Sequence, residues 1–568
     1  MKKILLIVST ITLLSFNITS CSKKLEVSPQ GSIDAVALSN ETGVDLLVTS
    51  AYASLTEPGW GGSPSNWIFG SIYGGDANKG TDPGDQPNMN DFEMYTVNAN
   101  DARVLEKWSF NYDGIKRVNN AINLINSVKT INADLKNKRL GEMKFLRALF
   151  YFELRRVFKS VSYIDENIEA KENNPKAKND TEILPMIEAD LMEAMSLLPD
   201  VQDRIGRANK WAAKSLLGKV YMFQNKFTEA VPLLKDIIDN GMNAGGVKYH
   251  LVDNYSDNFN IATENNSETV FSIQHSTDAG INNANQGMEP VSLYGGAMNG
   301  GGWGFFQPSY SLVNSFQVNA VGLPKLDGSY MDMVIPGTDI LGASPDVNDA
   351  DRSIPVDPRL DHTVGRRGIP FYDWGFPSST WVRNKSNSGD FLPKKNLYRK
   401  SNSQFVTRGS ALNTNLIRFA DVLLWYAEAL SETDQNAEAR QYVNLIRQRA
   451  INDIVMFDGH PAANYMVSQY PSNYFDTKEK ALKAIRFERK LEFGMEGIRF
   501  FDLQRWGYVI AKYEIDFYIA KEKLHIVKFN NASPFEEFKM YFPIPQSQIM
   551  TLGNSEDGKP YLTQNPGY

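Results

Sequence analysis

The chain has 568 residues, 42% hydrophobic and 11% aromatic, with 59 basic against 66 acidic side chains and a net charge of −7. No basic tract accompanies that balance, which argues against a nucleic-acid partner held by phosphate neutralisation. With one cysteine, Cys21, there is no intramolecular disulfide, so stability must come from the large core that this length can bury.

The first element is a leader. Lys2 and Lys3 precede an apolar run from Ile4 to Phe16. That run is too short for a bilayer span, which takes roughly 20 apolar residues, but it suits a secretory segment. Asn17, Ile18, Thr19 and Ser20 then lead into Cys21, an order that resembles the lipobox of a bacterial lipoprotein precursor. We expect residues 1–20 to be removed as a signal peptide and Cys21 to be acylated, palmitate included. A buried structural thiol is the competing reading. Residues 21–40 read as a tether, with Pro29 and Gly31 and few periodic apolar positions. No later segment reads as a span, because "FADVLLWYAEAL" is interrupted by Asp421 and Glu428.

Helical periodicity starts at Val44–Leu55 and strengthens over Arg103–Val128, where Trp108, Tyr112, Ile115, Ile122 and Ile125 fall on one face. Lys138–Phe158 and Glu182–Leu198 continue it. "NKWAAKSLLGKVYMFQNKFTEAVPLLKDIIDNG" sets small Gly218 and Ala230 against Leu217, Tyr221, Phe227, Leu234 and Ile237. Its order resembles a tetratricopeptide repeat, with Gly241 as a C-cap. "RFADVLLWYAEALSETDQNAEARQYVNLIRQRA" repeats the frame with Leu423, Ala427, Leu430, Ala439, Val443 and Ile446. The helical regions are drawn at 41–240 and 265–568, the second including long irregular loops. The class is mainly α, a helix-pair scaffold decorated by those loops.

Gly, Pro, Asp and Asn dominate Glu57–Asn100, Asn282–Gly304 and Gly328–Ser403. Loops this long are uncommon in compact domains unless they carry function. Five of the nine tryptophans lie there: Trp60, Trp67, Trp303, Trp374 and Trp381.

Catalytic constellations are weak. Glu492 and Glu496 with Asp502 could be drawn as a glycosidase pair, but Arg486, Arg489, Arg499 and Arg505 surround them, so an ion-pair lattice is the expectation. His250, His275, His362, His460 and His525 never fall at zinc-ligand spacing. "GGGWG" lacks the Lys and Ser/Thr of a phosphate loop. "DVNDADRSIPVD" places Asp346, Asn348 and Asp357 as in a calcium loop, but Asp351 stands where glycine is needed. No cofactor is expected; calcium is the one alternative.

Four strings in order, "GGDANKGTDPGDQPNMNDF", "LIRFADVLLWYAEAL", "AIRFERKLEFGMEGIRFFDLQRWG" and "FPIPQSQIM…LTQNPGY", resemble the SusD/RagB family across essentially the whole chain. The resemblance implies a SusD-like fold and no catalytic activity. It implies a surface-exposed, lipid-anchored outer-membrane protein that binds a glycan and passes it to a SusC-type TonB-dependent transporter. A peptide ligand, or a lipid-anchored glycoside hydrolase, is the alternative. Family sites commonly use the loop after the first helix and a later aromatic loop. Here these hold Trp67, Tyr73, Asp76 and Asn78, and then Trp303 and Phe306. Trp374 and Trp381 are further candidate stackers. We expect Trp67, Tyr73, Asp76 and Trp303 to converge on one face.

Overall fold

The computed structural model describes residues 38–56, 60–169, 176–278, 284–285, 293–295, 302–337, 352–402, 405–406 and 409–568. Cys21, the expected leader and the tether up to residue 37 lie outside these, as do Asp346, Asn348 and Asp351. Among the described residues no helix is long and apolar enough to cross a membrane.

Eleven described helices reach eight residues or more. They are α1 (Glu41–Ala53), α2 (Ala102–Ser127), α3 (Ala133–Phe158), α4 (Leu184–Leu197), α5 (Lys210–Phe223) and α6 (Phe227–Asn240). Then follow α7 (Phe419–Glu432), α8 (Asn436–Asn452), α9 (Lys478–Phe493), α10 (Arg499–Trp506) and α11 (Tyr508–Glu522). Short polar side chains start several of them: Asn40, Asp101, Asn132, Asn209 and Thr477 each accept a first-turn N–H. Trp108, Ile115, Ile122 and Ile125 are all buried along α2, as their spacing requires.

Neighbours in sequence are neighbours in space. α2 packs on α3, α3 on α4, α4 on α5 and α5 on α6. α6 then meets α7, with Gly241 to Arg418 looped out between them, and α7 packs on α8 and α9. That is a repeat scaffold with one large insertion. A Cβ on Gly218 would stand 2.8 Å from Leu234 Cδ2, so this glycine lets the leucines of α6 lie directly on α5. Gly241 is the C-cap of α6, as expected, its N–H donating to the Ile237 carbonyl at 2.9 Å, with a φ of −66°. A side chain there would strike the Ile237 carbonyl and the Tyr249 ring, so close packing, and not a left-handed backbone, calls for glycine at this cap.

Four described strands reach four residues: β1 (Ala77–Gly80), β2 (Thr269–Ile273), β3 (Phe305–Pro308) and β4 (Thr414–Arg418). β2 and β4 pair antiparallel with Thr269 opposite Arg418, which ties the insertion to the scaffold.

The charged C-terminal string is structural. Asp502 takes Arg489 at 2.7 Å and Arg505 at 2.9 Å, partners from its own string as expected. Glu492 and Glu496 do not. Glu492 holds Arg449 at 2.6 Å and Arg418 and Arg359 at 3.2 Å. Glu496 holds Lys395 and Arg418, both at 2.8 Å. The end of α9 faces both α8 and the foot of the insertion, so Arg449 comes from the first and Arg359, Lys395 and Arg418 from the second. Burial alone would raise the Glu492 carboxyl; Arg449, Arg418 and Arg359 overcome it and hold the group well below the usual carboxylate range. Such carboxylates cannot flank a glycosidic bond in an open cleft. Asp357, the one candidate calcium ligand described, is buried with both oxygens on Arg359, at 3.0 and 2.7 Å.

Candidate functional site

β1 and β3 pair antiparallel, Ala77 opposite Pro308, Asn78 opposite Gln307 and Gly80 opposite Phe305. This ladder brings the "GGDANKGTDPGD" loop against the "GGGWGFFQP" loop. The expected side chains are nevertheless on the wrong side of it. Trp67, Tyr73, Asp76, Asn78 and Phe306 are all buried. Residues 67–72 wind into a wide π-type turn and 77–80 form a strand, so neither is the open loop that their composition suggested.

Four of the five make an internal contact, and Asp76 lies buried beside them. Trp67 meets Phe306 edge-to-face at 5.5 Å. The Tyr73 hydroxyl donates to the Lys539 carbonyl at 3.1 Å, and its ring stands on Phe500 at 4.6 Å. Asn78 donates to Glu522 Oε2 at 3.2 Å and accepts from the Tyr518 hydroxyl at 2.9 Å. Burial pushes the Asp76 carboxyl up to about 7 despite Arg499 and Lys490 nearby. Beside Trp67 and Phe306 lies a cleft of about 60 Å³ that also touches Asn285, Asn413, Asn415 and Glu496.

Trp303 is where a ligand can reach. It is 46% exposed, and Tyr294 from the same glycine-rich loop is 37% exposed. With Tyr513 they are the only aromatic side chains among the exposed large apolar residues described. Arg383 joins them: its guanidinium carbon lies 5.4 Å from the Tyr294 ring centre and 5.8 Å from that of Trp303. The same guanidinium is fixed by Asp82 at 2.8 Å, Asp85 at 2.6 Å and the Thr81 hydroxyl at 2.8 Å. Asn384 donates to the second Asp82 oxygen at 3.0 Å.

The acidic loop is itself held from below. Lys79, wholly buried, donates to the carbonyls of Asp82, Pro83 and Asp85 at 3.2, 3.2 and 2.8 Å. Asn387 donates to the carbonyls of Gly80 and Thr81 at 3.0 and 2.9 Å. The Thr81 N–H donates to the Gly304 carbonyl at 2.7 Å. Gly304 sits at φ +70°, the turn that lets Trp303 and Phe305 diverge, one outward and one into the core.

The other loop tryptophans are anchors. Trp374 donates its indole N–H to the Tyr398 carbonyl at 2.9 Å. Trp381 is half-buried with its ring edge-on to Phe371, and its carbonyl accepts from the Tyr294 N–H at 3.1 Å. Trp60 packs on Phe305 at 4.9 Å. The residues that the sequence reading passed over are Tyr294, Thr81, Asp82, Asp85 and Arg383. Tyr294 shares the loop of Trp303, and the acidic residues stand inside a quoted string. Nothing local marks Arg383 as their partner.

Residues 267–568 match the family model described as the SusD family, and residues 28–222 match one described as starch-binding associating with outer membrane. The chain belongs to the SusD family. A SusD-like protein of Bacteroides ovatus is 24% identical, covering 97% of this chain and 93% of the relative. SusD-like protein P25 of Formosa agariphila is also 24% identical, over 73% and 72%. Among solved structures, a SusD superfamily protein of Bacteroides vulgatus superposes with a TM-score of 0.67 at 21% identity, covering 94% of this chain and 100% of that one. Surface glycan-binding protein A of Bacteroides thetaiotaomicron, solved in complex with laminarihexaose, gives 0.62 at 18% identity, over 92% and 99%. These likenesses establish the SusD-like fold of the chain.

Proposed function

We propose that this SusD-family protein binds a glycan on the Trp303–Tyr294–Arg383 platform and delivers it to a SusC-type TonB-dependent transporter in the outer membrane. The observation that carries the reading is the pair of exposed rings held around one guanidinium that two carboxylates fix in place. A pyranose offers an apolar C–H face for such rings and a hydroxyl rim for Asp82, Asn384 and Arg383. Stacking gains about 25 cal/mol per Å² of apolar area, plus ~0.5–1.5 kcal/mol of aromatic attraction. Two or three such contacts give millimolar to micromolar affinity, about −4 to −8 kcal/mol. The structure solved with laminarihexaose supports the ligand class, since that protein shares the fold.

The anchor is Cys21, acylated and exposed at the cell surface. One chain holds marginally at ~0.8 kcal/mol per buried CH₂, while the two or three chains of a bacterial lipoprotein hold firmly. The chemistry is binding without catalysis. Affinity electrophoresis through gels cast with polysaccharides tests the reading. Wild-type protein should be retarded by at least one polysaccharide without releasing reducing ends, and W303A should be retarded less. Equal retardation of both would place the site elsewhere. Extraction in mild detergent should bring down a much larger β-barrel partner, and C21A should move to the soluble fraction.

A further inference from the structure

The charges around the platform say which glycans it can hold. Arg383 is the only cation described over the two rings, and it is already engaged by Asp82 and Asp85. Below it, Lys79 turns its ammonium into three loop carbonyls, away from the rings. Glu93 accepts from the Lys79 backbone N–H and from Lys528 Nζ, the latter at 2.8 Å. Lys385, just beyond, pairs with Asp390 at 2.8 Å. Three cations (Arg383, Lys79, Lys528) thus face three carboxylates (Asp82, Asp85, Glu93), and the most accessible of the six is Asp82. In sequence, the aromatic loop from Ser276 to Gly304 carries Asp278 and Glu289 and no Lys or Arg.

Recognition of a carboxylate or sulfate calls for an arginine fork free to take both oxygens. Here Nε and one terminal nitrogen of the fork are already on Asp82, Asp85 and Thr81, which leaves no adjacent pair of nitrogens for two oxygens, and an incoming anion would meet the Asp82 carboxylate first. Neutral hydroxyls face no such conflict: they can donate to Asp82 and accept from Asn384 without breaking the Arg383 pairs.

We infer that the platform takes uncharged glycans and turns away chains bearing uronate or sulfate groups. This rests on the glycan reading above and narrows its ligand class. Asp82 and Asp85 then act as specificity-determining residues as well as positioning ones.

The test is a titration panel of laminarin, amylopectin and xyloglucan against polygalacturonate, alginate and dextran sulfate. Wild type, W303A, D82N and D82N/D85N would be measured, each with its melting temperature. The expected result is binding to one or more neutral polysaccharides, flat between about 50 and 200 mM salt and weakened by W303A, with no binding to the polyanions. D82N should gain affinity for a polyanion, and the double variant should gain more, whatever hydroxyl contact to the neutral ligand each of them loses. If a polyanion binds wild type more tightly than every neutral chain and W303A weakens it, the charge inference is overturned while the glycan reading stands. If D82N and D82N/D85N melt normally but still ignore every polyanion, the selectivity role of the two carboxylates is overturned. If no polysaccharide binds, or W303A binds like wild type, the glycan reading fails and this inference falls with it.

Discussion

Two clusters in this molecule use the same chemistry to opposite ends. Inside, Arg418 lies 4.8 Å from the Phe493 ring centre and joins Glu268, Glu492 and Glu496. Outside, Arg383 lies over Tyr294 and Trp303 and joins Asp82 and Asp85. Both are arginines held between rings and carboxylates. The inner one has every face covered, so it fixes how α9 meets the insertion. The outer one keeps ring faces and carboxylate edges open to water, so it can take a ligand. Composition alone does not separate a site from a strut. Exposure does.

The sharpest way to break the comparison is to unbalance the inner cluster. E492Q leaves Arg359, Arg418 and Arg449 with too little negative charge, and removing one partner of a buried pair typically costs ~3–5 kcal/mol. Chemical denaturation should show that loss, while the folded fraction still binds glycan. Trp425 is buried in α7, so W425A should lower stability by about 3–5 kcal/mol through the cavity it leaves, again without touching affinity.

A pH series sharpens the contrast among buried carboxyls. Burial raises both Asp76 and Glu522 to about 7. Between their ordinary values near 4 and about 7, the folded protein therefore holds protons that the unfolded chain has lost. Their contribution to stability is full at low pH and disappears as pH rises through about 7. Arginine-paired Asp502 works the other way: burial opposes ionisation, Arg489 and Arg505 overcome it, and stability falls only as strong acid protonates it. The melting temperature should fall between about pH 4 and pH 7 more in wild type than in D76N. An equal slope in both would remove Asp76 from the account.

Smaller effects belong to the platform. W303A should lose ~1–1.5 kcal/mol of binding, the worth of one stacked ring with its area. D82N, at a half-exposed position, should move stability by no more than about 0.5 kcal/mol.

Much of the fold was legible because helices write a period. The face of Trp108, Ile115, Ile122 and Ile125 and the small-large order around Gly218 need only local spacing. The platform was half legible. Trp303 stood out as an aromatic among glycines, yet so did Trp67 and Tyr73, and both are core residues. Strand pairing between β1 and β3 decides which of them face out, and no local pattern encodes a partner more than 200 residues away. Arg383 is missed for the same reason: its meaning comes from Asp82 and Asp85, reached only through the fold. The surroundings of Glu492 misled in detail, since the nearest arginines in sequence are not those that hold it.

The claim that exposure divides site from strut is tested most directly by titrating the retained polysaccharide into W303A and recording its melting curve on the same preparation. The account predicts a melting temperature equal to wild type and an affinity five- to tenfold weaker, about 1–1.4 kcal/mol. A lowered melting temperature with affinity intact would contradict it, making Trp303 one more loop anchor.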